Sequence, residues 1–214
     1  MATFRDLHFE DAPLPLPNAW DVGSALALPT AGFAAVGTTS FGVAASASLP
    51  DGGGVTKAAT AALVAQMCRL PVHVTADIED GYSDDPAEVA DFVAELAAMG
   101  VVGVNLEDSK DGHLVDSAVF AAKIAAVKQR NPDVFINARV DNLWFGEQAT
   151  VDAVLLRAGG YADAGADGIF VPGLAAADDI RSVTVLRDGK HVPAATPYWD
   201  MQARLVAFSQ EKPD

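Results

Sequence analysis

The chain has 214 residues, of which 50% are apolar and 20% are charged, so it can bury a full hydrophobic core in one large domain. Its 29 acidic and 14 basic residues give a formal charge of -15, which repels phosphate backbones and anionic lipids and argues against nucleic-acid and membrane partners. The single cysteine, Cys68, excludes an intramolecular disulfide framework, and no uncharged apolar stretch reaches the roughly 18 residues of a membrane span. We therefore expect a cytoplasmic globular protein.

Nearly continuous apolar runs alternate along the chain with alanine-rich stretches. In chain order the predicted strands are 14–17, 33–37, 72–76, 101–106, 134–138 and 168–171, and the predicted helices are 56–70, 86–100, 116–131, 150–165 and 178–185. The first strand is the weakest prediction because Pro15 and Pro17 cannot donate to a sheet. The alternation predicts an α/β fold, either a doubly wound parallel sheet or a (β/α)8 barrel. No glycine-rich phosphate loop follows a strand, which disfavours a nucleotide-binding open sheet.

Polar side chains follow five of the predicted strands, at the point where each strand ends. They are Asn18, Asp21, Thr38, Thr39, Ser40, Asp77, Glu79, Asp80, Glu107, Asp108, Ser109, Arg139, Asp141 and Asn142. In a barrel, the C-terminal ends of all strands meet at one mouth, where barrel active sites lie. The alternative is that each of these residues only caps the helix that follows it. Convergence from five strand ends favours an active site.

Three carboxylates, Asp77, Glu79 and Glu107, follow two neighbouring strands. Because alternate residues of a strand point the same way, Asp77 and Glu79 can share a site. Clustered carboxylates repel one another unless a cation or protons intervene, and an all-oxygen donor set favours Mg2+, with Mn2+ as the alternative. Arg139 supplies a permanently charged fork for a carboxylate. The set predicts a metal and an arginine that together hold a small anionic carboxylate substrate.

Seven motifs in fixed order cover roughly residues 4–174. They include Leu16-Pro17-Asn18-Ala19-Trp20-Asp21, Gly37-Thr38-Thr39-Ser40-Phe41-Gly42, Leu49-Pro50-Asp51-Gly52, Asp77-Ile78-Glu79-Asp80-Gly81-Tyr82, Asn105-Leu106-Glu107-Asp108, Asn137-Ala138-Arg139-Val140-Asp141 and Val171-Pro172-Gly173. Together they resemble the isocitrate lyase/phosphoenolpyruvate mutase superfamily. The resemblance implies a (β/α)8 barrel of the TIM type that acts on small α-oxycarboxylates and breaks or forms C–C or P–C bonds.

The resemblance also implies roles for individual residues. Asp77 corresponds to the direct Mg2+ ligand, and Asp51, Glu79 and Glu107 correspond to partners that act on the metal through water. The implied substrate-binding residues are Trp20, Thr39, Ser40, Phe41, Gly42 and Arg139, and the candidate catalytic residues are Arg139, Glu107 and His113. His113 is a possible acid/base in a mobile loop, and its alternative is an ordinary solvated loop histidine.

The loop after the fourth strand departs from the family pattern. Isocitrate and methylisocitrate lyases carry a Lys-Lys/Arg-Cys-Gly-His loop here whose cysteine is the acid/base, whereas residues 109–116 contain no cysteine, so those two activities are disfavoured. Cys68 is expected to be a small buried residue of a helix. The Lys-x-Asn-Ser pattern of phosphonopyruvate-forming mutases is also missing. The chain resembles instead the carboxyvinyl-carboxyphosphonate phosphorylmutase-like branch.

The expected function is a Mg2+-dependent lyase or mutase that acts on an oxaloacetate-like or 2-alkylmalate-like acid through a metal-stabilised enolate, with a phosphonopyruvate-type phosphomutase as one alternative. Residues 186–214 match no family strand, so we predict a barrel over residues 1–185 that is incomplete after its sixth strand, followed by an unrecognised tail. A second alternative is an inactive truncated member, and we expect a homo-oligomer. A Schiff-base aldolase is disfavoured because the lysines, at 57, 110, 123, 128, 190 and 212, end no clear strand.

Overall fold

A computed structural model describes residues 2–10 and 13–184 of the chain, and its central feature is a parallel sheet of six strands. The sheet strands are β1 (Asn18–Ala19), β2 (Ala35–Thr38), β3 (His73–Asp77), β4 (Val101–Glu107), β7 (Phe135–Arg139) and β8 (Gly168–Phe170). A small antiparallel hairpin, formed by β5 (Ser109–Lys110) and β6 (His113–Leu114), follows β4.

Helices connect the strands. They are α1 (Phe4–Leu7), α2 (Val22–Thr30), α3 (Ser40–Ser46), α4 (Lys57–Met67), α5 (Pro86–Met99), α6 (Ser117–Arg130), α7 (Asn142–Phe145), α8 (Val151–Asp163) and α9 (Ala177–Thr184). Local capping residues begin and end them: the Asp85 side chain accepts from the Ala87 amide before Pro86, and Gly100 ends α5 at a φ of 111°. Asp116 likewise accepts from the Ala118 amide at the start of α6.

The order of the strands identifies the type of sheet. The neighbours run β1-β2-β3-β4-β7-β8, in chain order and all parallel, whereas a doubly wound sheet reverses its order partway. The barrel-type prediction is therefore confirmed over the doubly wound one. Within residues 2–10 and 13–184, β1 and β8 do not pair with each other, so the described sheet is open. The predicted tail, 186–214, lies outside the described residues.

The strand predicted at 14–17 is wrong in its position. The first strand is Asn18–Ala19 instead, and pairing with β2 begins only at the Pro17 carbonyl, which accepts from the Gly37 amide at 2.9 Å. Pro15 and Pro17 have no N–H to donate, so no ladder can form through them. The other five predicted strands lie within two residues of the observed ones.

Two groups of apolar side chains fill the fold. The larger group packs between the sheet and its helices, and it includes Ile136, Leu106 and Phe120, all fully buried. The smaller group lies on the other face of the sheet at the N-terminal ends of the strands, where Phe4 of α1 packs against Phe135 with ring centroids 5.4 Å apart. Helix α1 therefore covers the end of the sheet that is opposite to the strands' C-terminal ends.

Replacing Phe4 with alanine should lower the free energy of unfolding by about 3 kcal/mol, because a 5% exposed aromatic ring leaves a cavity that Ala35 and Phe135 cannot fill. The matched control is Phe9→Ala, since Phe9 is 54% exposed and its loss should change stability by less than about 0.5 kcal/mol. Urea unfolding of both variants checks this. Equal losses in the two variants would show that α1 is not docked on the sheet.

No helix in residues 2–10 or 13–184 is both long enough and apolar enough to span a bilayer.

Candidate active site

A cavity of about 870 Å³ lies over the C-terminal ends of the strands. Its wall includes Asn18, Thr38, Thr39, Ser40, Phe41, Asp51, Asp77, Glu79, Asp80, Asn105, Glu107, Ser109, Arg139 and Phe170. All six strands of the sheet contribute to this wall, either directly or through the loop that follows them. The structure thus brings the polar strand ends to one mouth, where a barrel places its chemistry.

The register of β4 and β7 builds the floor of the cavity in layers. Gly103 faces Phe135, Asn105 faces Asn137, and Glu107 faces Arg139, and these positions alternate with residues that point to the helices. The Asn137 amide donates to Asn105 Oδ1 at 2.8 Å in the middle layer. The charged pair of Glu107 and Arg139 therefore lies at the open end of a wall that is polar in its middle and apolar at its base.

Asp77 ends β3 and lies at the centre of the carboxylate cluster. Its side chain accepts from the Ser40 amide at 2.9 Å, and its own amide donates to Thr38 Oγ1 at 2.9 Å. Asp77 is 8% exposed, so its direction is fixed by the end of β2 and the first residue of α3. Two predicted substrate-binding residues, Thr39 and Ser40, are held beside it by this bond.

Glu79 reaches the cavity by a different route from the one predicted. Strand β3 ends at Asp77, and Glu79 takes a left-handed backbone with a φ of 51°, so strand alternation does not place these two carboxylates together. Its carboxylate accepts from Thr56 Oγ1 and from the Gly54 amide at 3.2 Å. Burial raises the pKa of Glu79, although these two hydrogen bonds work in the opposite direction. Glu79 is therefore tied to the loop between α3 and α4.

Glu107, Arg139 and Asp141 form a chain of ion pairs at the end of β4 and β7. Arg139 Nη1 donates to Glu107 Oε1 at 2.5 Å, and Arg139 Nε donates to Asp141 Oδ1 at 2.6 Å. Burial and the charge of Asp77 raise the pKa of Glu107 well above its usual value, against the pull of Arg139. Burial alone would lower the pKa of Arg139, but the charges of Glu107, Asp141 and Asp77 outweigh it and raise that pKa. Three carboxylates, those of Asp77, Glu107 and Asp141, therefore act on the single guanidinium of Arg139.

The donor set fits a hard divalent cation that keeps most of its water. Asp51, Asp77, Glu79 and Glu107 all lie in the wall and offer only oxygen ligands. No three Asp, Glu, His or Cys side chains of the described residues are placed to chelate one ion directly. Burial and the neighbouring carboxylates raise the pKa values of Glu79 and Glu107, and a bound cation would oppose this rise.

In metal-free protein, replacing Glu107 with glutamine should raise the melting temperature at about pH 8 and change it little at about pH 4. The pKa of Glu107 lies above its usual 4.5, so this group stabilises the fold fully below pH 4.5 and loses that contribution as the pH rises through its folded-state pKa. Glutamine does not ionise and avoids the loss. We expect a gain on the order of 3 °C by calorimetry, and equal melting temperatures at the higher pH would contradict the raised pKa.

Three predicted site residues do not lie in the cavity wall. His113 is exposed on the hairpin, and its Nδ1 lies 2.7 Å from Glu147 Oε1, so an acid/base role would require the hairpin to move. Trp20 is 46% exposed and lies behind α3. A Cβ at Gly42 would come within 2.8 Å of the Trp20 Cβ, so Gly42 permits this close packing and does not face the cavity.

Among residues 2–10 and 13–184, the cavity wall contains no thiol and no lysine without a hydrogen-bonded partner. Cys68 follows α4 outside the wall, half-buried, and burial raises its pKa. Lys123 is buried and its pKa is lowered by burial, but its Nζ donates to the Asp80 carbonyl at 2.8 Å and it is not in the wall. Lys110 is in the wall, and its hydrogen bonds to Asp84 raise its pKa, which makes it a poor nucleophile. None of the described lysines is therefore placed for Schiff-base chemistry.

Sequence reasoning missed two groups of residues at the site. The first is the pair of α8 residues, Arg157 and Tyr161, that bind the predicted strand-end residue Asp108 behind the wall. The second is an aromatic part of the wall formed by Trp144, Phe145 and Phe170. Trp144 and Phe145 lie on α7, which was not predicted, and Phe170 ends β8.

Comparisons with known proteins identify the family. The family model for phosphoenolpyruvate phosphomutase matches residues 4–198. An uncharacterized protein of Mycobacterium tuberculosis is 40% identical, covering 96% of this chain and 97% of that protein. The 2-methylisocitrate lyase of Halalkalibacterium halodurans is 34% identical over 84% of this chain, and the chain spans only 62% of that enzyme's length.

Solved structures share the fold. A protein of Burkholderia cenocepacia J2315 assigned as a phosphonomutase superposes with a TM-score of 0.80 at 35% identity, covering 97% of this chain and 98% of that one. A phosphonopyruvate hydrolase solved with oxalate and Mg2+ has a TM-score of 0.75 at 19% identity, covering 98% of this chain and 85% of that one, and so shares the fold.

The alignment with the mycobacterial relative contains gaps in this chain. That alignment is 253 positions long, whereas this chain has 214 residues, so at least 39 residues of the relative face gaps in this chain. The phosphomutase family model and the lyase and phosphonomutase relatives nevertheless match most of this chain's length. These matches show that the chain belongs to the phosphoenolpyruvate mutase/isocitrate lyase superfamily of lyases and phosphomutases.

Proposed function

We propose that this chain is a divalent-metal-dependent lyase or mutase that breaks a C–C bond, or a P–C bond, next to the oxo group of a small α-oxycarboxylate. The observation that carries the proposal is the meeting of Asp77, Glu79 and Glu107 with Arg139 in one cavity at the strand ends. Acidic and basic groups in this arrangement serve opposite needs: the carboxylates attract a cation, and the guanidinium attracts the substrate's negative oxygens.

Arg139 and the loop that begins α3 are proposed to bind the substrate carboxylate. Arg139 uses two of its five N–H groups to contact Glu107 and Asp141, which leaves others to donate to a ligand. Thr39, Ser40 and Phe41 line the facing wall. A planar, dianionic substrate would therefore be held between a fixed fork and a polar loop.

The metal site is proposed to use Asp77 as the direct ligand and Asp51, Glu79 and Glu107 through water. A bound Mg2+ or Mn2+ would supply the positive charge that an enolate oxygen needs as the adjacent bond breaks. The support is the all-oxygen donor set and its crowded negative charge. The fold neighbour that holds oxalate and Mg2+ together is a precedent for such a pairing in this fold.

The test is turnover by the purified full-length protein. Oxaloacetate, 2-alkylmalates, methylisocitrate and phosphonopyruvate are each supplied with Mg2+, with Mn2+, and with a chelator. We expect metal-dependent cleavage of at least one of the carbon acids, with inhibition by oxalate. Turnover of phosphonopyruvate alone would favour the phosphomutase alternative.

An inactive member of the superfamily is the second candidate. The observation that favours it is the gap of at least 39 residues relative to the mycobacterial protein. Failure of every acid to react with either metal, in a protein that is folded by circular dichroism, would favour this candidate and contradict the first.

A further inference from the structure

We propose that Asp141 is a positioning residue, which holds the Arg139 guanidinium in its binding orientation and links it to the β5–β6 hairpin. The inference rests on the proposed role of Arg139 in substrate binding. Asp141 is fully buried and is not in the cavity wall, whereas Arg139 and Ser109 both are. The hydrogen bonds of the Asp141 side chain therefore act on a ligand through these two neighbours.

The two carboxylate oxygens of Asp141 have different partners. Oδ1 accepts from Arg139 Nε at 2.6 Å, and Oδ2 accepts from Ser109 Oγ at 2.6 Å. Glu107 holds the same guanidinium at Nη1. Because contacts at Nε and at Nη1 lie on different parts of a planar group, they fix both its position and its rotation. Asp141 supplies the contact at Nε, and Glu107 supplies the contact at Nη1.

Asp141 itself is anchored from behind. Its backbone amide donates to Asp108 Oδ1 at 2.8 Å, and Asp108 Oδ2 accepts from Arg157 Nε and from the Tyr161 hydroxyl, each at 2.7 Å. Asp108 is fully buried, and Arg157 and Tyr161 belong to α8. Because this buried network already fixes the Asp141 carboxylate, little further conformational entropy is lost when it orients Arg139. A binding group can then be held in one defined orientation.

Ser109 makes Asp141 the connection between the hairpin and the arginine. Ser109 begins β5, and the turn that follows carries Asp111 and Gly112 at φ values of 51° and 81°. Lys110, Asp111 and Gly112 all lie in the cavity wall. A ligand that contacts the hairpin would thus act on the same buried carboxylate that orients Arg139.

Two substitutions separate orientation from charge. In Asp141→Asn, the amide oxygen can still accept from Arg139 Nε while its NH2 donates to Ser109 Oγ, so the geometry is kept and only the charge is lost. In Asp141→Val, a similar volume remains and both hydrogen bonds are lost. We expect Asp141→Val to weaken oxalate binding in the presence of Mg2+ by about tenfold or more, and Asp141→Asn to weaken it by less than about threefold, measured by calorimetry.

A second readout needs no ligand. The Arg139 Nε–H proton should exchange slowly with solvent in the wild type and in Asp141→Asn, and about tenfold faster in Asp141→Val, by nuclear magnetic resonance. The matched control is Asp167→Val, which removes a buried carboxylate bonded to Lys128 and the Ile136 amide at the other end of the sheet. It should leave both oxalate affinity and Arg139 exchange unchanged.

Ser109→Ala tests the link to the hairpin. We expect faster amide exchange across β5 and β6, with Arg139 Nε–H still protected by Asp141. If wild-type protein binds no oxalate with Mg2+, the proposed function fails, and the exchange rates still decide the positioning role. Unchanged Arg139 exchange in Asp141→Val would overturn the positioning role, and unchanged hairpin exchange in Ser109→Ala would overturn the link.

Discussion

Replacing Asp77 with asparagine should lower kcat/KM for the metal-dependent reaction by about a thousandfold. Asparagine keeps an oxygen that can accept from the Ser40 amide, so the contact between β3 and α3 survives while the charge that would bind the cation is lost. Turnover is measured over a range of Mg2+ concentrations. We also expect Mg2+ to raise the melting temperature of the wild type and to leave that of the variant unchanged.

The control for Asp77→Asn is Glu95→Gln. Glu95 is an exposed carboxylate in the middle of α5, away from the cavity, and its loss changes the net charge by the same amount. We expect Glu95→Gln to keep wild-type turnover and the wild-type response to Mg2+. Metal-dependent turnover of Asp77→Asn at the rate of Glu95→Gln would contradict the assignment of Asp77 as the metal ligand.

The buried strands of this fold were predictable because their pattern is local. A parallel strand covered on both faces reads as a nearly continuous apolar run, and β4 and β7 begin with such runs before their polar C-terminal residues. The first strand was misplaced because only two residues of β1 pair, which is too short a segment for any pattern. The short helices α3 and α7 were not predicted either, since they hold only seven and four residues and have no side-chain cap.

The residue types of the site were predictable for a geometric reason. The C-terminal ends of parallel strands meet at one edge, so polar residues just after the strands had to converge. What could not be predicted is the direction of each side chain. Glu79 lies past the end of β3 with a φ of 51°, and its partner Thr56 belongs to a different loop, so neither the turn nor the contact has a local signal.

The buried network behind the site could not be predicted for another reason. Asp108 bonds to Arg157 and Tyr161, which are 49 and 53 residues away in sequence. Such contacts depend on how α8 packs beside β4 and β7, and a sequence pattern cannot specify that packing. In the sequence, Arg157 and Tyr161 look like ordinary residues of an amphipathic helix.

Arg139 should show the largest combined effect on binding and stability. Replacing it with lysine keeps the charge but loses the fork that contacts Glu107 and Asp141 together, and we expect kcat/KM to fall by about a hundredfold. Replacing it with methionine also leaves two buried carboxylates without a cation, which should cost about 3 kcal/mol of unfolding free energy at neutral pH. Steady-state kinetics and urea unfolding give the two quantities separately.

The pH dependence of Arg139→Met distinguishes an electrostatic loss from a packing loss. The pKa values of Glu107 and Asp141 are already raised by burial, and removing the guanidinium must raise both further. A raised carboxyl pKa gives a stability contribution that is present at low pH and lost as the pH rises, so the deficit of the methionine variant should shrink as the pH falls toward about 5. A packing defect would persist at both pH values. A deficit of the same size at low and neutral pH would therefore show that Arg139 supports the fold through its contacts and not through its charge.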